Sequence, residues 1–528
     1  MKPSALFLIL CFLVVGYATF EYSTFSLNQA RPFDADEAHH AARGLDVYDG
    51  ITEGSISNLA LAIRDQSFYP PLHSLTVAAS YLSFGSPSLV SSRAPSWIAF
   101  VLSLFVTALA VRATLAQQSD FDSRNFAAYG MGVALLFGFF SPLSIQNASV
   151  CMLEPLSMLM TAILLYYFAR YQRLLTYSKP AAVSSGLLLF LVALTKYTLI
   201  PFVVAPALVA LWGIPRFTPK LAHRSALISG ITVGVGFTLW LLVSHPEGVW
   251  YFLFGFPKRG ATFSLAGLFT QPEMFMLRCA LHPLLAALAL LIAVISLKFI
   301  RAQRVILFSV LCIAATLAIL GISKQQGGRF MLHALPCVWL LCGVGAARLA
   351  AFRPALVAFP YAILAVFVLN LQSERARIES DILRALETTP ADQEMLTFAT
   401  ISANPSQPIL QIGSSDRFNI EGVRWSLAAA YGLPFRSIQV DQFPMTVERF
   451  KNLKYAQPWR APFDRARAQI SQPLQTVIEQ GGYKTLLVFE GERWLRQAEN
   501  RAQLDAIMAT QPHKTWQDEG KSLTVVNF

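Results

Sequence analysis

A chain of 528 residues that is 54% hydrophobic and 14% charged, with a mean hydropathy of +0.48, is too apolar for a soluble protein of this length and must meet lipid. Its formal charge of +11 at pH 7 raises nucleic acid as a partner, but the Lys and Arg residues sit in short clusters between apolar runs, and no recognition motif or continuous basic stripe accompanies them. That pattern argues against nucleic-acid binding and reads as membrane topology.

A spanning helix needs about 20 apolar residues, since each adds about 1.5 Å against a hydrocarbon core of about 30 Å. Ala5–Phe20, preceded by Lys2, is either the first span or a short signal segment ending in small residues near Ala18; both readings deliver the chain after Glu21 to the outside. The run Pro71–Gly85 is short and carries His73, Ser74, Thr76, Ser80 and Ser83, so it predicts a helix lying at the outer interface. Further spans are predicted over Pro95–Leu115, Phe126–Leu143, Leu156–Ala169, Ala181–Thr195, Leu199–Trp212, Ala226–Val243, Leu281–Phe299, Val305–Ile322, Phe330–Ala347 and Ala355–Leu371. The total is about eleven transmembrane helices, an odd number that leaves the N-terminus cytoplasmic and the C-terminal region outside an inner (plasma) membrane. The inner side then collects basic clusters such as Arg170, Arg173, Lys179 and Arg216, Lys220, Arg224, opposed only by Asp120 and Asp122.

From Ser373 the composition changes: charge becomes frequent and no run is long enough to cross. The fold class expected is an α-helical polytopic membrane protein, residues 1–372 with a large first outer loop over 21–94, followed by a soluble extracytoplasmic α/β domain over 373–528. Strands are predicted at "PILQIG" from Pro408, "SIQV" from Ser437, "TLLVFEG" from Thr485 and "LTVVNF" from Leu523, with a helix over Leu495–Met508. Gly413 follows the first strand without a GxGxxG or GxxxxGK pattern, which favours a plain turn over a phosphate loop. The six cysteines lie mostly in apolar runs without CxxC or metal spacing; a disulfide between Cys151 and Cys279 stays open.

The first outer loop carries "RPFDADEAHHAARGLDVYDG", an unusual density of acid close behind a spanning helix. Asp34 can cap a helix, and acidic residues suit a first turn. Capping does not account for Asp36 and Glu37 together with His39 and His40. Transfer of a sugar from a phosphate carrier needs a base for the acceptor hydroxyl and cations for the departing phosphate. Glu154, in the short outer loop before a predicted span, is a second acid near hydrocarbon, where carboxylates are costly and tend to be functional or paired, although dipole capping is the plainer alternative. Cations on the outer side are Arg93, Lys196, Lys258, Arg259, Lys324 and Arg329, which suit phosphate oxygens as a set and lipid headgroups singly. The loop bearing Lys258 and Arg259 is rich in aromatics and reads equally as an interfacial lid or an aromatic belt. Asp34, His39, His40, Tyr69 and His73 are further candidates for acid/base or orienting roles, with packing the alternative for His73 and for His282 and His333. No cofactor motif is present; a divalent cation remains an option at the histidines, without HExxH or matching ligand spacing.

On these residues the sequence resembles the bacterial members of the GT-C glycosyltransferase superfamily, the group containing protein O-mannosyltransferases and the aminoarabinose transferase of lipid A. The matching features keep their order: the acidic pair Asp36 and Glu37; a "PPL" start at Pro70, Pro71 and Leu72 leading to Gly85 and Arg93; Glu154 with Pro155; Thr195 with Lys196; and the turn Lys324, Arg329, Phe330, Pro336. The chain departs from the group with Glu at 154, Phe at 330 and Tyr at 69. The resemblance covers roughly Met1–Leu371 and implies a polyprenyl-phosphate-linked sugar donor, a glycan, lipid or protein acceptor, and inversion at the anomeric carbon. It implies that Asp36 is the base or acceptor-orienting carboxylate, that Glu37 and Glu154 shape the site, and that Lys196, Lys324 and Arg329 hold the lipid phosphate. The rival classes are a transporter or flippase of a lipid-linked saccharide, which places polar groups mid-membrane and shows repeated halves, and a non-catalytic glycan-assembly protein. Membrane-impermeant labelling of single cysteines is expected to find the "DADE" segment and the "KQQGGR" turn in the same outer compartment; opposite compartments end the case.

Overall fold

The computed structural model describes residues 3–29, 31–66, 69–117, 123–172, 174–212, 219–244, 246–250, 291–292, 294–295, 303–322, 328–352, 358–386, 390–413, 419–443, 473–490, 493–518 and 521–528. The α-helices in chain order are α1 (Pro3–Leu27), α2 (Ala35–Thr52), α3 (Ile56–Arg64), α4 (Leu72–Phe84), α5 (Leu89–Ala116), α6 (Ser123–Phe139), α7 (Pro142–Ala148), α8 (Glu154–Tyr171), α9 (Leu174–Tyr177), α10 (Lys179–Thr195), α11 (Ala205–Trp212), α12 (Pro219–Val243) and α13 (Pro246–Trp250). They continue as α14 (Arg304–Ile322), α15 (Leu335–Phe352), α16 (Ala358–Leu386), α17 (Pro390–Ser402), α18 (Ile420–Tyr431), α19 (Leu474–Gly481) and α20 (Ala498–Thr510). The strands are β1 (Ile409–Ile412), β2 (Val440–Phe443), β3 (Thr485–Phe489), β4 (His513–Asp518) and β5 (Lys521–Asn527). The chain divides into two compact units: Met1–Ser26 with Ser96–Leu242 and Phe252–Ala385, and Leu27–Pro95 with Val243–Tyr251 and Leu386–Phe528. The change of composition at Ser373 falls inside α16, which runs on to Leu386.

In the first unit, five helices among the described residues are long and apolar enough to cross a membrane: Pro3–Leu27, Leu89–Ala116, His223–Val243, Arg304–Gly321 and Arg329–Phe352. A sixth is α6 with α7, which bend by 66° at a short break. Pro142 opens α7 and holds Ser141 in extended backbone, so the run predicted as Phe126–Leu143 stops at Phe139 and Leu143 belongs to the next helix. Shorter apolar helices cover Lys179–Thr195, Ile200–Trp212 and Pro360–Leu369. By length and composition the described residues thus hold five or six spans where the sequence predicts about eleven, because breaks shorten several runs. Leu281–Phe299 falls almost entirely outside the described residues.

The second unit contains the first loop and the C-terminal region. Asp34 caps α2 by accepting the Glu37 N–H at 2.7 Å, and Gly85, at φ +78°, closes α4. His40 lies beside His73, Gly44 against Val77 and Tyr48 beside Tyr81, a constant offset that makes α2 and α4 run parallel, with α3 in the connection between them. At 13 residues α4 is about 20 Å long, too short to cross, and it buries His73, Ser74, Val77, Ala78, Ser80 and Tyr81.

The sheet has the order β2-β1-β3-β5-β4, with β2, β1 and β3 parallel and β5 and β4 antiparallel. Leu410, Ile412, Phe443, Leu486, Val488 and Val526 form its core with Leu474, Val477 and Leu504. The strand predicted at Ser437 starts instead at Val440, because Phe435–Ser437 makes a 3-10 turn. Sequence reading misses β4: "HKTWQD" is exposed at nearly every position and carries no apolar alternation.

A Cβ at Gly44 runs into the Val77 side chain. Gly44→Ala is therefore expected to cost about 1–3 kcal/mol in thermal unfolding of the purified protein, and Val77→Ala in the same chain is expected to recover part of the loss.

Candidate active site

The acidic segment and its neighbours fold together on the first turns of α2. Glu37 is 1% exposed and Arg93 is fully buried; Arg93 Nε donates to Glu37 Oε1 at 2.7 Å and Nη2 to Oε2 at 3.2 Å. The same guanidinium donates to the Gln29 and Arg31 carbonyls at 3.1 and 2.9 Å and stands 5.5 Å from the Phe33 ring centroid. Taking both charges out of water costs several kcal/mol per ion, and only this near-complete pairing offsets it. Arg93 is thus a strut that holds the chain entering α2, not a cation open to a carrier phosphate as the sequence suggested. Glu37 shapes the loop through the same pair.

Asp34 is the N-cap, and Asp36 is half-buried one residue before Glu37. His39, His40, Tyr69 and His73 form one ring cluster, with centroids 5.2 Å apart for His39–Tyr69, 5.0 Å for His40–Tyr69 and 5.0 Å for His40–His73. Desolvation and then the Arg43 guanidinium push His39 down to about 4, against the pull of Glu421 and Asp36. His39 is neutral at neutral pH, a hydrogen-bonding group beside Asp36 in sequence and not a cation.

A second cluster forms in the first unit. Glu154 sits in the first turn of α8, where the helix dipole favours a carboxylate, and its Oε1 accepts from Lys196 Nζ at 2.9 Å; both residues are buried. Lys196 lies in extended backbone where α10 ends, just ahead of a π-helical turn at Ile200–Val204 that contains Pro201. Its Nζ stands 4.9 Å from the Phe330 ring centroid, and the Arg329 guanidinium stands 5.3 Å from the same centroid and interacts favourably with Glu154. Lys196 and Arg329 both stand close to Glu154, whose Oε2 has no hydrogen-bond partner among the described residues. His333 packs as a core group, with Nε2 2.9 Å from Thr316 Oγ1 and its ring stacked 4.9 Å from Phe202. Lys258, Arg259, Lys324, Cys279 and His282 lie outside the described residues. Among the described residues no three His, Cys, Asp or Glu side chains are arranged to hold a metal ion.

Sequence reading also misses a charged network further along α2. Arg436 Nε donates to Asp46 Oδ1 at 2.6 Å and Nη2 to Asp46 Oδ2 at 2.9 Å, while Nη2 is 3.2 Å from Asp65 Oδ2. The Phe435 N–H donates to Asp49 Oδ2 at 2.7 Å, and Trp425 Nε1 to the Tyr81 hydroxyl at 3.2 Å. The hint in the sequence is that Arg43, Asp46 and Asp49 follow one another at a spacing of three along α2; the partners lie almost 400 residues away. Burial pushes Asp49 up to about 7, opposed by the Phe435 N–H and reinforced by Asp46 and Glu53.

No protein-family model matches the sequence, and no curated protein matches it. Among solved structures, the chain shares its fold with ArnT from Cupriavidus metallidurans. The crystal structure of apo ArnT from Cupriavidus metallidurans is similar with a TM-score of 0.63 at 13% identity, over 98% of this chain and 97% of that one. ArnT from the same organism bound to undecaprenyl phosphate gives a TM-score of 0.56 at 14% identity, with the same 98% and 97% coverage.

Because the folded pKa of Asp49 lies above its ordinary value, its contribution to stability is present below about pH 4 and is lost as pH rises to about 7. Asp49→Asn, which keeps the acceptor for the Phe435 N–H, is expected to flatten that part of the pH dependence of the melting temperature. The variant is expected to gain on the wild type as pH rises from 4 to 8; parallel curves contradict the assignment.

Proposed function

We propose that the protein transfers a sugar from a polyprenyl-phosphate carrier to an acceptor hydroxyl or phosphate on the extracytoplasmic side of the inner membrane, with inversion at the anomeric carbon. The observation that carries this reading is the buried Glu154–Lys196 pair with Arg329 beside it at helix ends, set in a fold similar over nearly its whole length to an ArnT bound to undecaprenyl phosphate.

In the transfer the acceptor oxygen bonds to the anomeric carbon while the bond from that carbon to the carrier phosphate oxygen breaks. The electron pair leaves with the phosphate, and the acceptor proton passes to the Asp36 carboxylate. Lys196 and Arg329 take up the charge that develops on the phosphate, and the sequence resemblance adds Lys324 as a third cation. Desolvated cations act strongly because little water screens them. Glu154 holds Lys196 in place and presents Oε2 toward a hydroxyl or a further donor. Glu37 acts through Arg93 as a positioning group, and neutral His39 with Tyr69 offers hydrogen bonds and ring faces to a saccharide. The acceptor class is a glycan, a lipid or a protein.

Mass spectrometry of envelope glycoconjugates from a strain lacking the gene is expected to show a lost sugar increment that the wild-type gene restores. Asp36→Asn is expected to lower that increment by about 10²- to 10⁴-fold while the purified variant melts normally. A folded Asp36→Asn protein that restores the full increment overturns the role of this carboxylate, and no mass change on deletion overturns the transferase reading.

A further inference from the structure

We infer that Arg436 is a positioning residue for α2: the C-terminal region grips the helix that carries Asp36 and sets where that carboxylate stands. In the terms of the proposed transferase, on which this deepening rests, the C-terminal region then governs the rate of transfer.

The argument begins with charge. Asp46 and Asp65 are 3% and 0% exposed, and a buried pair of carboxylates facing one another repels strongly unless a cation stands between them. Arg436 is that cation. It binds Asp46 through a two-bond fork and reaches Asp65, which lies at the end of α3. Glu53 adds further negative charge on α2 while burial holds Asp49 toward its neutral form, and Arg64 sits beside Asp65 at 3.2 Å while staying half-exposed. Arg43, on the same stripe, is repelled by Arg436 and attracted by Glu421, Asp46 and Asp65. Arg43 and Arg64 share in neutralising this pair, and Arg436 is the cation that the C-terminal region supplies to it.

The geometry carries the restraint to Asp36. The Phe435 N–H bonds to Asp49 one turn beyond Asp46, so two consecutive residues of the turn Phe435–Ser437 fasten α2. Trp425, on α18, donates to Tyr81 on α4, and its ring packs edge-on against Phe33 at 4.7 Å, next to the chain that Arg93 holds. Arg424, from the same helix, donates to the Ile438 and Phe435 carbonyls at 2.9 and 3.0 Å and lies over the Phe435 ring, so the fastening turn is itself braced. A helix transmits displacement at one end to the other because its backbone bonds are continuous, and Asp36 is three turns from Asp46 on the same helix.

The test uses the full-length protein in lipid nanodiscs. Arg436→Gln is expected to speed amide hydrogen exchange over Glu37–Arg43 at least tenfold and to leave α5 and α15 unchanged. Arg436→Lys is expected to restore most of the protection, and Trp425→Phe, which removes the bond to Tyr81 and part of the ring packed against Phe33, to give a smaller increase in the same place. In cells, Arg436→Gln is expected to cut the sugar increment at least tenfold, while binding of undecaprenyl phosphate to the purified variant stays within twofold of wild type. Unchanged exchange over Glu37–Arg43 in both Arg436→Gln and Trp425→Phe overturns the grip, as does raised exchange with a full increment. If the wild-type gene restores no increment at all, the transferase reading fails, and the exchange measurement still decides whether Arg436 holds α2.

Discussion

Charge taken out of water has to be neutralised where it lies, and in this protein that requirement shapes both the loop on α2 and the helix ends around Lys196. An unpaired buried carboxylate or guanidinium costs several kcal/mol, more than most single contacts return. Glu37 and Arg93, Glu154 and Lys196, and Asp46, Asp65 and Arg436 each answer that cost with short, mostly multiple contacts. Because each solution demands fixed geometry, each pair also fixes backbone: the entry into α2, the mouth of α8 and the junction of α2 with the C-terminal turn.

The pairs differ in what they leave over. Arg93 spends its donors on Glu37 and on two carbonyls, so its work is mechanical. The Lys196 cluster gathers two cations around one carboxylate, one oxygen of which has no hydrogen-bond partner among the described residues. A π-helical turn that contains Pro201 breaks the regular backbone just beyond Lys196. Asp36 lies between these extremes, half-buried on a helix whose neighbours are all committed to holding it.

Legibility followed the range of the interactions. Apolar length announced the membrane, the acidic cap announced the start of α2, and the β-branched runs announced four of the five strands, since each depends on residues within a turn or two. Breaks inside apolar runs were harder: Pro142 is visible, but its effect on the Phe126–Leu143 run depends on how the neighbouring helices accept a bend. The polar edge strand β4 left no period to read, because it gains its place by pairing with β5 and not by burying a face.

For the candidate site the same division holds. The sequence by itself determined the inventory, acids and cations beside hydrophobic spans in an order that resembles GT-C enzymes, because residue type and local spacing already restrict the chemistry. Only the tertiary structure decided the partnerships: Arg93 went to Glu37 across 56 residues, Lys196 to Glu154 across 42, and Arg436 to Asp46 across 390. Electrostatic pairing depends on distance in space and on exclusion of water, and neither quantity is written in the linear order of the chain.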